Sequence, residues 1–231
     1  MRVAALYDIH GNVPALEAVL RDLEREDVDT ILFGGDLASG AFPRETIELA
    51  RSLRKARLVR GNADLLASPA INPKADAGRR WVESQLNEEE ITWLAELPFS
   101  AVLGDTLYVH ATPQDDETVV TELTTDERFA EVLAGVEQRR VVAGHTHMQF
   151  ERQVGDVLFV NPGSVGMPYE ERPGAYWALL DRGVEFRRSD YDLEAAAARF
   201  RESGHPEGAL LAEENVVQVP SRAEALAVFG G

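Results

Sequence analysis

Two histidines one residue apart, His145 and His147, follow the short apolar run Val141-Val142-Ala143 and a glycine, Gly144. In extended backbone, side chains two residues apart point the same way, and a neutral imidazole is the commonest metal ligand. Taken alone, such a pair is weak evidence, because two solvated loop histidines are the other reading. The rest of the chain decides. Of its five histidines, His10, His110, His145 and His147 all follow apolar, strand-like runs. Asp8, Asp36 and Asn62 stand in the same position after other such runs. Ligands in α/β folds collect at the carboxyl ends of strands. These seven residues therefore read as one distributed two-metal site.

Two divalent ions about 3.5–4 Å apart can hold a hydroxide between them and clamp a phosphoryl group. A carboxylate makes the best bridge, and Asp36 is the expected one. It stands alone on its turn, with room for each oxygen to face a different ion. Asp8 is the second anionic ligand; the amide and the four imidazoles are neutral. Two carboxylates against four positive charges leave the centre net positive, which suits an anionic substrate. A set this rich in nitrogen favours manganese, iron, zinc, cobalt or nickel, whereas a cage of five carboxylates would point to magnesium.

The elements that must position these groups follow from periodicity and turn chemistry. Val3 to Tyr7 is a continuous apolar run, as expected of a strand buried on both faces. Asn12 caps a helix with Pro14 in its first turn and a stripe of Leu16, Val19, Leu20 and Leu23. Thr30 to Phe33 is the second strand, closed by Gly34-Gly35-Asp36; a helix over 43–57 leads to a short strand at Leu58-Val59 and then Gly61-Asn62-Ala63-Asp64. Strand–helix–strand order with buried strands implies parallel pairing.

Residues 65–98 read as a helical insertion in a single domain spanning 1–231. It carries two helical pieces, the second opened by an Asn87/Glu90 capping box and closed at Leu97-Pro98. Trp81, Leu86, Ile91, Trp93 and Leu94 are its packing residues. Three hairpins are expected further on, turning at Gly104-Asp105, Gly155-Asp156 and Asp181-Arg182-Gly183. Asp115 and Asp116 read as solvated loop charges, and Thr124 with Glu127 as the cap of the next helix. The tail is helical over 193–200 and around Ala209. A last strand is expected at Val216 to Val219, and a closing helix capped by Ser221 and Glu224. His205 lies in a polar Ser-Gly-His-Pro turn and reads as a bystander.

Composition narrows the function. The chain has 231 residues, 45% of them hydrophobic, and a net charge of −17. That field repels phosphate backbones at long range, so no dedicated nucleic-acid grip is expected. There is no cysteine, which excludes disulfides, thiolate catalysis and sulfur-ligated metals. No signal peptide and no membrane-length apolar run is present, so a cytoplasmic protein is expected. Oligomeric state is unread; an exposed hairpin edge is where a second copy of the chain would pair.

The ordered set Asp8-x-His10, Gly35-Asp36, Gly61-Asn62, His110 and Gly144-His145-x-His147 resembles the calcineurin-like metallophosphoesterases. Asp8-Ile9-His10-Gly11-Asn12, Gly61-Asn62-Ala63-Asp64 and Asn161-Pro162-Gly163-Ser164-Val165-Gly166 resemble its small bacterial and archaeal phosphodiesterase branch. The resemblance implies a four-layer α-β-β-α sandwich of two mixed sheets flanked by helices. It implies one metal held by Asp8, His10, Asp36 and His147 and another by Asp36, Asn62, His110 and His145. Asp36, Asn62 and His110 are then the expected catalytic residues, and Asp64 a candidate to orient a ligand histidine from behind. Many members place a histidine directly after the Gly-Asn pair, where it helps to protonate the leaving group. Here that position is Ala63. The expectation is a phosphodiesterase acting on a small phosphodiester or nucleotide. The alternatives are a phosphomonoesterase, a dinucleoside-polyphosphate hydrolase, or a non-catalytic scaffold on the same fold.

Overall fold

The computed structural model describes residues 1–66 and 77–229. Two five-stranded mixed sheets face each other. The first has the order β10(Val184–Ser189), β9(Ala175–Leu180), β1(Val3–Leu6), β2(Thr30–Phe33), β3(Ala56–Leu58). The second has the order β4(Ser100–Leu103), β5(Thr106–Val109), β6(Arg140–Val142), β8(Val157–Pro162), β7(Gln149–Val154). Each sheet has three parallel strands, β1-β2-β3 and β5-β6-β8; β9 pairs antiparallel with β1 and forms a hairpin with β10, and β4 and β7 are the antiparallel hairpin partners of β5 and β8.

Side-chain alternation shows why β1 is apolar throughout. Ala4 and Leu6 pack outward with Leu16 and Val19 of α1(Val13–Leu23) and Ile47 of α2(Pro43–Ser52). Val3, Ala5 and Tyr7 face inward and meet Tyr108, Val142 and Val160 of the second sheet. A strand covered on both faces has no polar side to spend. Tyr7 also donates its hydroxyl to the Val142 carbonyl at 2.9 Å, tying the sheets together through a satisfied buried polar group. On the outer face of the second sheet, Phe129 and Val132 of α5(Asp126–Val132) pack on Phe150 and Phe159. The result is helix, sheet, sheet, helix: the expected four-layer sandwich. No helix among the described residues is long and apolar enough to cross a membrane.

The two helical pieces expected after residue 65 are α3(Ala77–Gln85) and α4(Glu88–Ala95), with Asn87 and Glu90 forming the capping box. The part of that stretch from 67 to 76 lies outside the described residues. All three hairpins form at the expected turns.

Four local expectations are corrected. α2 stops at Ser52 rather than at 57, because Ala56 is already paired with Ile31 of β2, so the third strand is Ala56–Leu58. The α5 cap is Thr125, which accepts from Arg128 N–H, while Thr124 accepts from Thr121 N–H one turn earlier. The Val216–Val219 stretch is not a strand. Residues Glu213–Val217 form a π-helical turn after α7(Gly208–Ala212), and Val216 is buried beside Phe200 of α6(Leu193–Glu202). Burial in that helical cluster overrides the β preference of valine. Asp115 is not simply a solvated charge: its carboxylate accepts from Thr118 and Glu117 backbone N–H groups and from the Thr118 hydroxyl. The closing helix α8(Arg222–Phe229) begins where Ser221 and Glu224 cap it.

Candidate metal centre

The parallel strands of both sheets end on one rim, and the seven residues picked out by type and spacing all lie there. β1 leads into Asp8 and His10, β2 into Asp36, β3 into Asn62, β5 into His110, and β6 into His145 and His147. Asp8, His10 and His147 offer ligand atoms that all lie within 4.8 Å of one another, and so do Asp8, Asp36 and His110. Asp8 is common to both clusters, and Asp36 Oδ2, from the second, sits 3.6 Å from both His10 Nε2 and His110 Nε2. Asn62 Oδ1 is 2.9 Å from His110 Nε2, and the His145 ring lies 5.1 Å from that of His110. Asp36 differs from expectation in one respect. Its Oδ1 accepts the Ala63 N–H at 2.8 Å, so only Oδ2 faces the centre.

Each histidine is oriented by a contact at its other ring nitrogen, and where the partner is a carbonyl the contact also fixes the tautomer. His110 Nδ1 donates to the Gly34 carbonyl at 3.0 Å and His147 Nδ1 to the Met167 carbonyl at 2.7 Å. His145 Nε2 donates to the Glu117 carbonyl at 3.0 Å, and His10 Nδ1 meets Ser39 Oγ at 2.7 Å. Tyr169 stacks on the His147 ring at 4.8 Å. Burial holds His10 neutral, lowering its pKa to about 4, and also lowers that of His145. His110 goes the other way: burial opposes its charge, but Asp36 and Asp8 outweigh that. Burial likewise opposes the Asp8 carboxylate, yet His147, with His110 and His10 behind it, holds the group well below the usual carboxylate range.

These donors fit bound cations. Asp8 Oδ1 is fully buried and has no hydrogen-bond partner. The Nε2 atoms of His10 and His147 stand 3.2 Å apart, and His147 has already spent its ring N–H on Met167. The gathered atoms are acceptors with too few donors among them, and nitrogen with carboxylate oxygen is a transition-metal set. The centre comprises two distinct His/Asp clusters for divalent ions.

The backbone is bent to bring these groups together. Among the described residues, the non-glycine positions with positive φ are Asp8, His10, Asp36, His145 and His147, at +46° to +67°. All are expected ligands. Left-handed backbone outside glycine costs of order 1–3 kcal/mol and persists where the surroundings over-determine it. The surroundings here are tight. A Cβ on Gly35 would lie 2.5 Å from the Gly61 backbone nitrogen, and one on Gly144 would lie 2.4 Å from Asp8 Oδ2.

Ser164 donates its hydroxyl to the Asp8 carbonyl at 2.7 Å, and Asn161 Nδ2 donates to the Gly144 carbonyl at 2.9 Å, so this turn shapes the centre without entering it. Asp64 does not reach a histidine nitrogen. Its two oxygens accept the Leu37 N–H at 2.8 Å and the Gly61 N–H at 2.9 Å, which locks the Asp36 turn to the Asn62 turn. Arg60 pairs with Asp116 at 3.2 Å. Ser39, Tyr169 and the carbonyls of Met167 and Glu117 were not anticipated. Carbonyl donors leave no trace in residue type; Tyr169, an aromatic two residues after Met167 in a Pro-containing loop, offered only a faint signal.

His205, read as a bystander, is buried. It packs edge-on to Trp81 at 4.9 Å and lines the cavity that also reaches His10 and Asn62.

Comparison with known proteins agrees with this geometry. The chain is 27% identical to the uncharacterized protein MJ0912 of Methanocaldococcus jannaschii, over 89% of this chain and 94% of that one. It is 26% identical to the phosphodiesterase YfcE of Escherichia coli K12, over 80% of this chain and 89% of that one. Its structure is similar to the crystal structure of a metallophosphoesterase from Sphaerobacter thermophilus, with a TM-score of 0.75 and 29% identity over 92% of this chain and 97% of that one. It shares the fold of PH1004 from Pyrococcus horikoshii OT3, at a TM-score of 0.80 and 22% identity over 94% and 99% of the two chains. A calcineurin-like phosphoesterase superfamily domain model matches residues 1–182, a stretch that ends after the last candidate ligand, His147, and after β9. On that match and this rim, the chain belongs to the calcineurin-like phosphoesterase superfamily.

Proposed function

We propose that this metal-dependent phosphoesterase is a phosphodiesterase acting on a small diester. In this reading Asp8, His10, Asp36 and His147 hold one divalent ion, and Asp36, Asn62, His110 and His145 hold the other. Bound there, such ions would supply a nucleophile at neutral pH and neutralise the phosphoryl oxygens. The protein's own part is positional. Asp36 Oδ2, equidistant from a histidine of each cluster, sets the spacing. Asn62 and His110 hold the phosphoryl side, and Asp64 keeps the Asp36 and Asn62 turns in register through backbone N–H groups.

The observation that carries the diester reading is Ala63. It lines the cavity beside His10 and Asn62, and its N–H is already given to Asp36. Its methyl side chain has no proton to offer a leaving group. An alkoxide of high basicity then departs poorly, whereas a good leaving group needs no help. The similarity to a protein named as a phosphodiesterase supports the same reading.

A turnover panel with manganese tests it, covering an aryl phosphodiester, an aryl monoester, cyclic nucleotides and dinucleoside polyphosphates. Diester cleavage is expected to lead; fast monoester cleavage with no diester cleavage would sink the proposal. Ala63→His supplies the missing imidazole. It should raise turnover most for monoesters with poor leaving groups and little for activated aryl diesters, as compared by pH–rate profiles at saturating metal. Equal gains on both would show that protonation is not what Ala63 lacks.

A further inference from the structure

A cavity of about 440 Å³ opens on the metal centre, with His10, Asn62 and Ala63 at its inner end. Its apolar walls are Leu66, Val82 and Met167. Its far wall is His205, Glu207 and Leu211, from the segment joining α6 to α7 and from α7 itself. That wall lies beyond residue 182, outside the part of the chain that matches the superfamily domain.

The wall is firmly built. His205 Nδ1 accepts the Glu207 N–H at 3.1 Å, so in the neutral ring the proton is on Nε2. Trp81 packs edge-on against that ring at 4.9 Å. Both side chains close on bare backbone of α3. A Cβ on Gly78 would lie 3.1 Å from the His205 ring and 3.2 Å from Glu207 Oε2. Glycine at this position lets the two side chains approach the helix.

Size and charge say what would fill the space. The volume falls within the roughly 300–1,000 Å³ of pockets that enclose drug-sized ligands, far more than an inorganic phosphate needs. Apolar residues along the sides suit a flat ring. Arg79 also lines the cavity, but its guanidinium is engaged with Glu83 and with the carbonyls of Leu65 and Leu66; the Glu207 carboxylate at the far end repels a second phosphate and accepts from N–H or O–H donors. We propose that this cavity binds the organic substituent of the phosphoester as a single nucleoside-sized, donor-bearing ring system, and that His205, Glu207 and Leu211 determine specificity. The proposal rests on the phosphodiesterase reading of the adjoining centre, and it disfavours a dinucleoside polyphosphate, whose further phosphates would approach Glu207.

The test uses the full metal-loaded chain and two substrates with the same leaving group: the p-nitrophenyl ester of thymidine 5′-monophosphate, and methyl p-nitrophenyl phosphate. Leu211→Trp fills the far wall, and Glu207→Gln removes its charge at constant size. The kcat/KM ratio of nucleoside ester to methyl ester should fall roughly tenfold or more in Leu211→Trp, chiefly through KM. It should fall roughly three- to tenfold in Glu207→Gln. A ratio unchanged in both variants overturns the proposal. Calorimetry supplies a second arm that needs no turnover. Thymidine 5′-monophosphate should bind the metal-loaded protein at least roughly tenfold more tightly than inorganic phosphate, and Leu211→Trp should abolish that advantage. If no diester turns over but the nucleotide keeps its advantage, the phosphodiesterase reading fails and the pocket stands. If diesters turn over but the nucleotide binds no better than phosphate, the pocket fails and the centre stands.

Discussion

At the ligand-bearing rim, the turns after β1, β2 and β6 hold five non-glycine residues at positive φ, and a Cβ on Gly35 would come 2.5 Å from the neighbouring backbone. At the opposite rim, the hairpin turns before β5 and β8 also use positive φ, at Gly104 and Gly155, but a Cβ on either would meet nothing within 4 Å. The backbone conformation is similar at both rims and the crowding is not. The hairpin turns only reverse the chain, so local turn chemistry suffices. The ligand turns must also interlock with one another, as Asp64 and Ala63 show by reaching from one turn to hold the other. Geometry there is set by neighbours rather than by the turn residue's own preference.

The largest difference between the rims should appear in Asp36→Asn against Asp105→Asn. The first removes the charge that stands 3.6 Å from a histidine of each cluster, and activity should fall by more than the roughly 10–100-fold seen when only a group behind a ligand is lost. Metal content, read by elemental analysis, should fall with it. Asp105 forms an exposed pair with Arg139 in a hairpin turn, and its substitution should leave both readings unchanged. Comparable losses would show that the two rims are not functionally distinct.

Alanine at glycine sharpens the contrast in stability. Gly35→Ala should cost about 3 kcal/mol or more, since left-handed strain adds to a clash with backbone that cannot rotate away. Gly104→Ala should cost only about 1 kcal/mol, from the positive φ alone. Urea unfolding of both variants gives the comparison, and equal costs would mean that the crowding at Gly35 is relieved by backbone movement.

A last effect concerns pH. Asp64 is buried, and burial together with the Asp36 charge raises its pKa from 3.8 to about 7 in the metal-free protein, against the pull of its two N–H donors. The folded state then holds a proton that the unfolded chain releases near pH 3.8. This contribution to stability is complete below that value and is lost as pH rises through about 7, with a slope of up to ~1.4 kcal/mol per pH unit. Chelator-treated protein should therefore weaken between those values, Asp64→Asn should lack that component of the slope, and bound metal should flatten it by favouring the carboxylate. A wild-type slope equal to that of the variant would mean that Asp64 is already ionised.

Most of the candidate centre was legible in the sequence because its candidate ligands have distinctive types and follow short apolar runs. Asp8, His10, Asp36, Asn62, His110, His145 and His147 all lie where strand-end logic puts them. The supports were less legible. Glu117 and Met167 act through carbonyls that every residue has. Asp64 acts on backbone rather than on a histidine, a choice set by how closely two turns approach. His205 was misjudged because its polar local sequence says nothing of Trp81 and Gly78, which reach it only through the tertiary fold. Val216 misled in the opposite sense: its β-branched type speaks locally for a strand, while burial against α6 decides otherwise.

The left-handed backbone at these candidate ligands also sets selection against folding. At Asp8, His10, Asp36, His145 and His147 the backbone would be more comfortable with glycine, while the chemistry needs a donor atom. A lineage that no longer needed the metals would find stabilising replacements at these same positions, and the resulting drift would be hard to reverse. The shape of the rim could then outlast its activity, leaving a descendant that looks like a phosphoesterase in outline but has glycine where the ions were held.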